Sequence, residues 1–87
     1  MGLPARQEDV RAVMVAVLTP YLGRNMAQSS AKLYLERLGP VTAVGAAEVE
    51  QILTWMRPGL RVFAGEQRAA LVLGELRAAL MKLLEGA

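Results

Sequence analysis

Apolar residues recur along this chain with the period of an amphipathic helix. Glycines and prolines separate four segments of helical length, and no Asn-Gly or Asp-Gly pair signals a β-hairpin. The third segment shows the pattern without a mismatch, since Val49 is followed at the expected spacings by Ile52, Leu53 and Met56. The pattern predicts four helices, over residues 5–18, 20–38, 46–57 and 65–85.

The predicted boundaries follow the residue types that start and stop helices. Thr19 and Pro20 have the form of an N-cap and a first helical residue, so the second helix should begin at Pro20. The Gly39-Pro40 pair should end that helix.

These helices have to share one core, because 87 residues are enough for one compact domain and too few for two. We predict an all-α fold over residues 1–87, either a compact four-helix bundle or an orthogonal helical array. Residues 60–63 should form a helical turn that inserts Phe63 into one end of the bundle. Leu53 and Leu76 should be core residues, and replacing either by Ala should lower stability by on the order of 2–5 kcal/mol.

The first helix is apolar on all sides after Arg11. Its main apolar stripe is accompanied on the opposite side by Ala12, Val15 and Ala16, and a helix of this kind is normally buried all round. Four helices of one domain cover only one broad face of it, so we expect a second copy of the chain to cover the other. A β-strand is the alternative, since valine occupies every second position over 13–17.

The chain contains no Cys and no His, which excludes most catalytic and metal sites. Disulfides, thiolate nucleophiles, imidazole bases and the usual zinc or di-iron sites all need one of these residues. Ser29 and Ser30 have no His to activate them, and we interpret them as small residues at a close helix crossing. We therefore expect no catalytic residue, no metal ion and no cofactor.

The net charge of +2 is a small surplus for a nucleic-acid partner. The arginines are spread along the chain, and only Arg57, Arg61 and Arg68 resemble a local cluster. The exposed positions of the third helix include Glu48 and Glu50, whose charge repels phosphate. A small nucleic-acid-binding protein is therefore the second hypothesis, and we expect no specific binding of DNA or RNA.

The longest uninterrupted apolar run covers only residues 12–18, whereas crossing a bilayer takes roughly 18–20 residues. Glu8 and Asp9 precede this run, unlike the charged region of a secretory signal. We expect a cytoplasmic protein without a membrane span. A membrane-surface protein that uses its first helix is the third hypothesis.

Residues 18–23 have the sequence Leu-Thr-Pro-Tyr-Leu-Gly, with Ala27 beyond them, and helical patterns follow over 49–56 and 65–80. Together these features resemble small all-helical modules that accompany bacterial protein kinases and other signalling proteins and carry a Tyr-Ile-Gly-Pro-x-Ala-like turn. Arg24 stands where those modules have Pro. The resemblance implies a regulatory or protein-interaction role without chemistry of its own, and it transfers no functional residue to this chain.

The sequence as a whole favours a non-catalytic protein-interaction or regulatory adaptor module that binds another protein and also itself, as a homodimer. Small residues on the first helix allow two helices to cross closely, and a two-fold pairing lets one patch serve both subunits. If the domain itself covers that helix, the partner surface lies around the exposed aromatic residues instead. The predicted interaction surface consists of Ala12, Val15, Ala16, Tyr21 and Trp55.

Overall fold

The computed structural model describes residues 4–39 and 43–86, and the all-α fold is confirmed. The helices are α1 (Gln7–Leu22), α2 (Arg24–Leu38), α3 (Ala46–Ala64) and α4 (Glu66–Gly86). No β-strand forms within these two ranges. The valine-rich stretch 13–17 lies inside α1, so the strand alternative is wrong.

The helices form a compact bundle in which each lies beside two others, in a ring. Helix α1 packs against α2 and α4, and α3 packs against the same two helices. In the part of the chain that the structure describes, the backbones of α1 and α3, and of α2 and α4, stay apart. The contact between α1 and α4 therefore lies on the side of the bundle opposite to the contact between α2 and α3.

The buried residues of the described ranges are all apolar. Each helix turns one stripe inward, as the spacing predicts, and the predicted core positions Leu53 and Leu76 are only 2% and 0% exposed. Burial of these stripes is the main stabilising term of so small a domain. The most completely enclosed large side chains are Met14, Leu18, Ile52, Met56, Leu76 and Leu80.

The segment that precedes α1 is tied to the segment that precedes α3. Ala5 and Val44 exchange two backbone hydrogen bonds, of 2.8 and 2.6 Å, as an isolated antiparallel bridge. Both side chains are buried. The bridge therefore extends the core beyond the helix ends and joins the starts of two helices that do not pack against each other.

Three of the predicted helix boundaries are wrong, because prolines lie inside helices. The second helix begins at Arg24 and not at Pro20, which belongs to α1. Helix α1 does not stop at residue 18 but continues through Pro20 to Leu22, and Gly23, with φ of 82°, separates it from α2. Helix α3 does not stop at residue 57 but continues through Pro58 to Ala64.

Both prolines are tolerated because they lie on the solvent side of their helices. A proline has no N–H to donate to the carbonyl four residues earlier, which here belongs to Ala16 for Pro20 and to Thr54 for Pro58. Ala16 and Thr54 are exposed, so water can satisfy their carbonyl groups. The missing hydrogen bonds therefore fall at exposed residues and not in the core.

The expectation that Phe63 fills one end of the bundle is also wrong. Since α3 stays helical, Phe63 remains on its surface with 54% of the residue exposed. Helix α1 likewise differs from the expectation of burial on all sides. Val15 is half-buried against the core, whereas Ala12 and Ala16 are exposed.

Candidate interaction surface

A cleft of about 140 Å³ opens between α2 and α3. These two helices share the smallest of the four helix contacts, so their facing side chains do not close completely. A buried cavity of about this size holds a benzene-sized group, and the cleft therefore has room for one large apolar side chain. Its lining consists of Leu22, Met26, Ser30, Tyr34, Met56, Gly59, Leu60 and Phe63.

The surface around this cleft carries most of the large apolar side chains that the described residues expose. Met26 and Leu33 of α2 are 48% and 58% exposed, and Val62 and Phe63 of α3 are 90% and 54% exposed. We define the α2–α3 face by the residues that helical spacing places along this side of the two helices. They are Met26, Ser30, Leu33, Tyr34 and Arg37 of α2, and Gln51, Trp55, Gly59, Val62 and Phe63 of α3.

Helical geometry brings these residues together, because positions three and four apart share one side of a helix. The two helices run antiparallel, so Met26, near the start of α2, and Phe63, near the end of α3, both line the cleft. Gly59 lies midway along it. A Cβ atom added at Gly59 would lie 3.8 Å from the Tyr34 hydroxyl oxygen, so the missing side chain is what leaves space over Tyr34.

At one end of the α2–α3 face, Arg37 of α2 stacks on Trp55 of α3. The guanidinium carbon lies 4.6 Å from the centroid of the indole ring, inside the distance at which a cation is attracted to the ring face. Trp55 is half-buried and Arg37 is exposed. The pair joins the two helices and covers one side of the indole, while leaving the guanidinium edge open to a partner.

The α2–α3 face is almost uncharged. Arg37 is its single cation, and two carboxylates border it by helical spacing, Glu36 three residues after Leu33 and Glu48 three residues before Gln51. Glu48, one turn before the face on α3, is directed to the start of its own helix, where the Gly45 N–H donates to its carboxylate at 2.8 Å. Aromatic residues, Met and Arg are the types enriched in protein interfaces, and this face combines all three.

Trp55 is the one predicted surface residue that belongs to this face. Tyr21 lies on the opposite side of the bundle, where its hydroxyl donates a 2.6 Å hydrogen bond from α1 to Glu75 of α4. This hydrogen bond, with smaller effects of desolvation and of the negative charge of Glu75, raises the pKa of Tyr21. Tyr21 and Trp55 therefore do not form one continuous surface.

The three predicted residues of the first helix form a separate and flatter surface. Ala12 and Ala16 are exposed, and Val15 is half-buried against the core. Alanine side chains add little apolar area, and Val15 already has neighbours within its own domain. This surface offers less for a partner to bury than the α2–α3 face.

Sequence reasoning misses Met26, Leu33 and Phe63 as surface residues. Periodicity assigns the first two to the flanks of an inward stripe and Phe63 to the end of the bundle. A signal was present, since Leu33 is two positions from the buried Leu35 and two residues so spaced lie on different sides of a helix.

Three arginines line a second cleft, of about 270 Å³, between α3 and α4: Arg57, Arg61 and Arg77. Glu50 accepts a 2.7 Å hydrogen bond from Arg77, and a Glu66 carboxylate oxygen lies 3.9 Å from Arg61. These carboxylates offset much of the positive charge. Arg68, which the sequence groups with Arg57 and Arg61, lines a different depression beside Leu71.

No group of three or more acidic side chains that could hold a metal ion occurs within 4–39 and 43–86. In the same ranges, no helix has the length and apolar character needed to cross a membrane. No family model, curated protein or solved structure matches this chain. The resemblance of residues 18–23 to kinase-associated helical modules thus stays a prediction.

Proposed function

We propose that this chain is a non-catalytic protein-interaction domain that binds its partner through the α2–α3 face. The observation that carries the proposal is the concentration of exposed apolar and aromatic side chains on one nearly uncharged side of the bundle. Large contiguous apolar patches are rare on the surfaces of monomeric soluble proteins, and where they occur they mark interaction sites. Trp, Tyr and Arg, which dominate binding energy in protein interfaces, all belong to this face.

Site-specific photo-crosslinking in the native cells tests this proposal. A photoreactive amino acid replaces Leu33 on the α2–α3 face or, as a matched control, Leu71 on α4, which is exposed to nearly the same extent at 56%. We expect position 33 to give discrete crosslinked protein bands and position 71 to give none. Equal expression with no band from position 33 would contradict the proposal.

Nucleic-acid binding is the second candidate, and the observation in its favour is the clustering of Arg57, Arg61 and Arg77 around one cleft. Because Glu50 and Glu66 face two of these arginines, we rank it below protein binding. Fluorescence anisotropy with duplex and single-stranded probes should show no sub-micromolar binding at physiological salt. Tight binding that weakens steeply as salt rises would reverse this ranking.

A further inference from the structure

We propose that the partner of the α2–α3 face is the same face of a second copy, so that the chain forms a two-fold homodimer with its axis near Ser30 and Gly59. This inference rests on the proposed function and names its partner. It replaces the first helix, which the sequence favours, as the dimer surface.

Charge is the first argument for a second copy. A face that carries one cation, with carboxylates only at its border, needs an occupant that is itself nearly uncharged, because a charged group buried against its apolar centre would have no ion-pair partner. An anionic membrane or an acidic peptide would find only Arg37 to attract it. The α2–α3 face of a second copy meets this requirement.

The direction of the helices supplies the second argument. Arg37 and Trp55 occupy one end of the face, and Met26 and Phe63 occupy the other. A two-fold axis through the middle places the Arg37 end of one copy over the Phe63 end of its partner. The two guanidinium groups are thereby kept apart, and each lies near an additional aromatic ring.

Shape supplies the third argument. The middle of the face is recessed, because Ser30 and Gly59 have the smallest side chains there. The cleft opens beside these two residues. Leu33 projects next to this recessed region with 58% of the residue exposed. In the two-fold arrangement, α2 of each copy lies over α2 of the other, and Leu33 of each copy packs against the partner's α2 beside the cleft.

The area of the face sets the expected affinity of the dimer. Helix α2 has 15 residues and is about 22 Å long at 1.5 Å per residue. Two helices side by side span about 20 Å, which gives a flat footprint of roughly 440 Å² per copy. Two such footprints together measure roughly 880 Å², below the about 1,000 Å² expected of a stable interface, so we expect a weak, transient dimer with a dissociation constant in the micromolar range.

Sedimentation equilibrium with a pair of leucine variants tests the face. We expect the wild type to be mainly dimeric at about 100 μM, which is well above a micromolar dissociation constant. Leu33→Glu should raise that constant at least tenfold with an unchanged circular dichroism spectrum, whereas Leu71→Glu should leave it unchanged. A monomeric wild type at this concentration, or equal effects of the two variants, would overturn the inference.

Cysteine crosslinking tests the axis, and the chain suits this method because it has no natural Cys. A disulfide needs Cβ atoms about 3.5–4.5 Å apart, which a two-fold axis near residue 30 provides. Ser30→Cys should form the intermolecular disulfide at least tenfold faster than Gln28→Cys, because Gln28 is exposed but lies two residues from Ser30, on a different side of α2. Equal rates would overturn the placement of the axis.

Two further outcomes separate this inference from the proposed function. If Ala16→Glu dissociates the dimer and Leu33→Glu does not, the copies meet through α1 and the inference fails. If the wild type is monomeric but position 33 crosslinks to a different protein, the inference fails while the proposed function stands. If position 33 crosslinks to nothing, both fail.

Discussion

The two opposite sides of this bundle are built with different chemistry. Where α1 meets α4, Tyr21 donates a hydrogen bond to Glu75 and the helix contact is the larger of the two. Where α2 meets α3, the contact is smaller, a cleft remains, and Arg37 stacks on Trp55. One side therefore holds the bundle together, whereas the other leaves apolar surface available for binding.

The largest effect that tests this comparison comes from the same substitution in the two parts of the core. Leu76 is fully enclosed, so Leu76→Ala should leave a cavity and lower stability by about 3–5 kcal/mol. Leu60 lines the open cleft, where water can replace the lost atoms, so Leu60→Ala should lower stability by only about 2 kcal/mol. Urea unfolding measures both, and equal losses would show that the α2–α3 contact is closed.

The helices and their inward stripes are predictable from the sequence because local spacing determines which residues share a side of a helix. The open side of the bundle is not predictable in this way, since exposure of Leu33 or Phe63 depends on how closely a neighbouring helix approaches. Pro20 and Pro58 show the same limit. Whether a proline ends a helix depends on the hydration of a carbonyl four residues earlier, and the fold decides which carbonyls face water.

Alanine substitutions at two helical glycines should separate stability from self-association. Gly59 and Gly74 both lie inside helices, and an added Cβ atom meets no close contact at either. Replacing either by Ala should therefore raise stability by about 0.5–1 kcal/mol, because Ala restricts the unfolded chain. Only Gly59→Ala should also weaken self-association, since it narrows the cleft over Tyr34. A loss of stability for Gly59→Ala in thermal unfolding would contradict this account.

The stacking of Arg37 on Trp55, at the end of the α2–α3 face, should have a smaller effect on the free energy of unfolding. Removing the cation with Arg37→Gln should lower stability by about 0.5–1 kcal/mol, the usual range for an exposed cation–aromatic contact. Arg11→Gln is the matched control, because Arg11 is an exposed cation on α1. Unfolding is measured at a concentration where the wild type is monomeric. If the two variants lose equal amounts, the stacking on Trp55 contributes nothing.

The smallest effect on stability is expected at alkaline pH from the Tyr21–Glu75 hydrogen bond, on the α1–α4 side of the bundle. The pKa of Tyr21 is raised in the folded state, from an ordinary value of 10.0. Its hydrogen bond therefore contributes fully to the free energy of unfolding below pH 10, and this contribution is lost as pH rises through the folded-state pKa. Wild-type stability should therefore decline slightly more between pH 9 and 11 than that of Tyr21→Phe. Parallel pH profiles for the two proteins would show that the hydrogen bond to Glu75 is not maintained in solution.

The position of the chain's single tryptophan makes the α2–α3 face directly observable without a label. Its indole is half-buried next to the cleft, so its fluorescence emission depends on how much water reaches this side of the bundle. Dilution through the dimer dissociation range should shift the emission to longer wavelength while helicity stays constant. Unfolding changes both signals at once, so one optical experiment separates loss of the partner from loss of the fold.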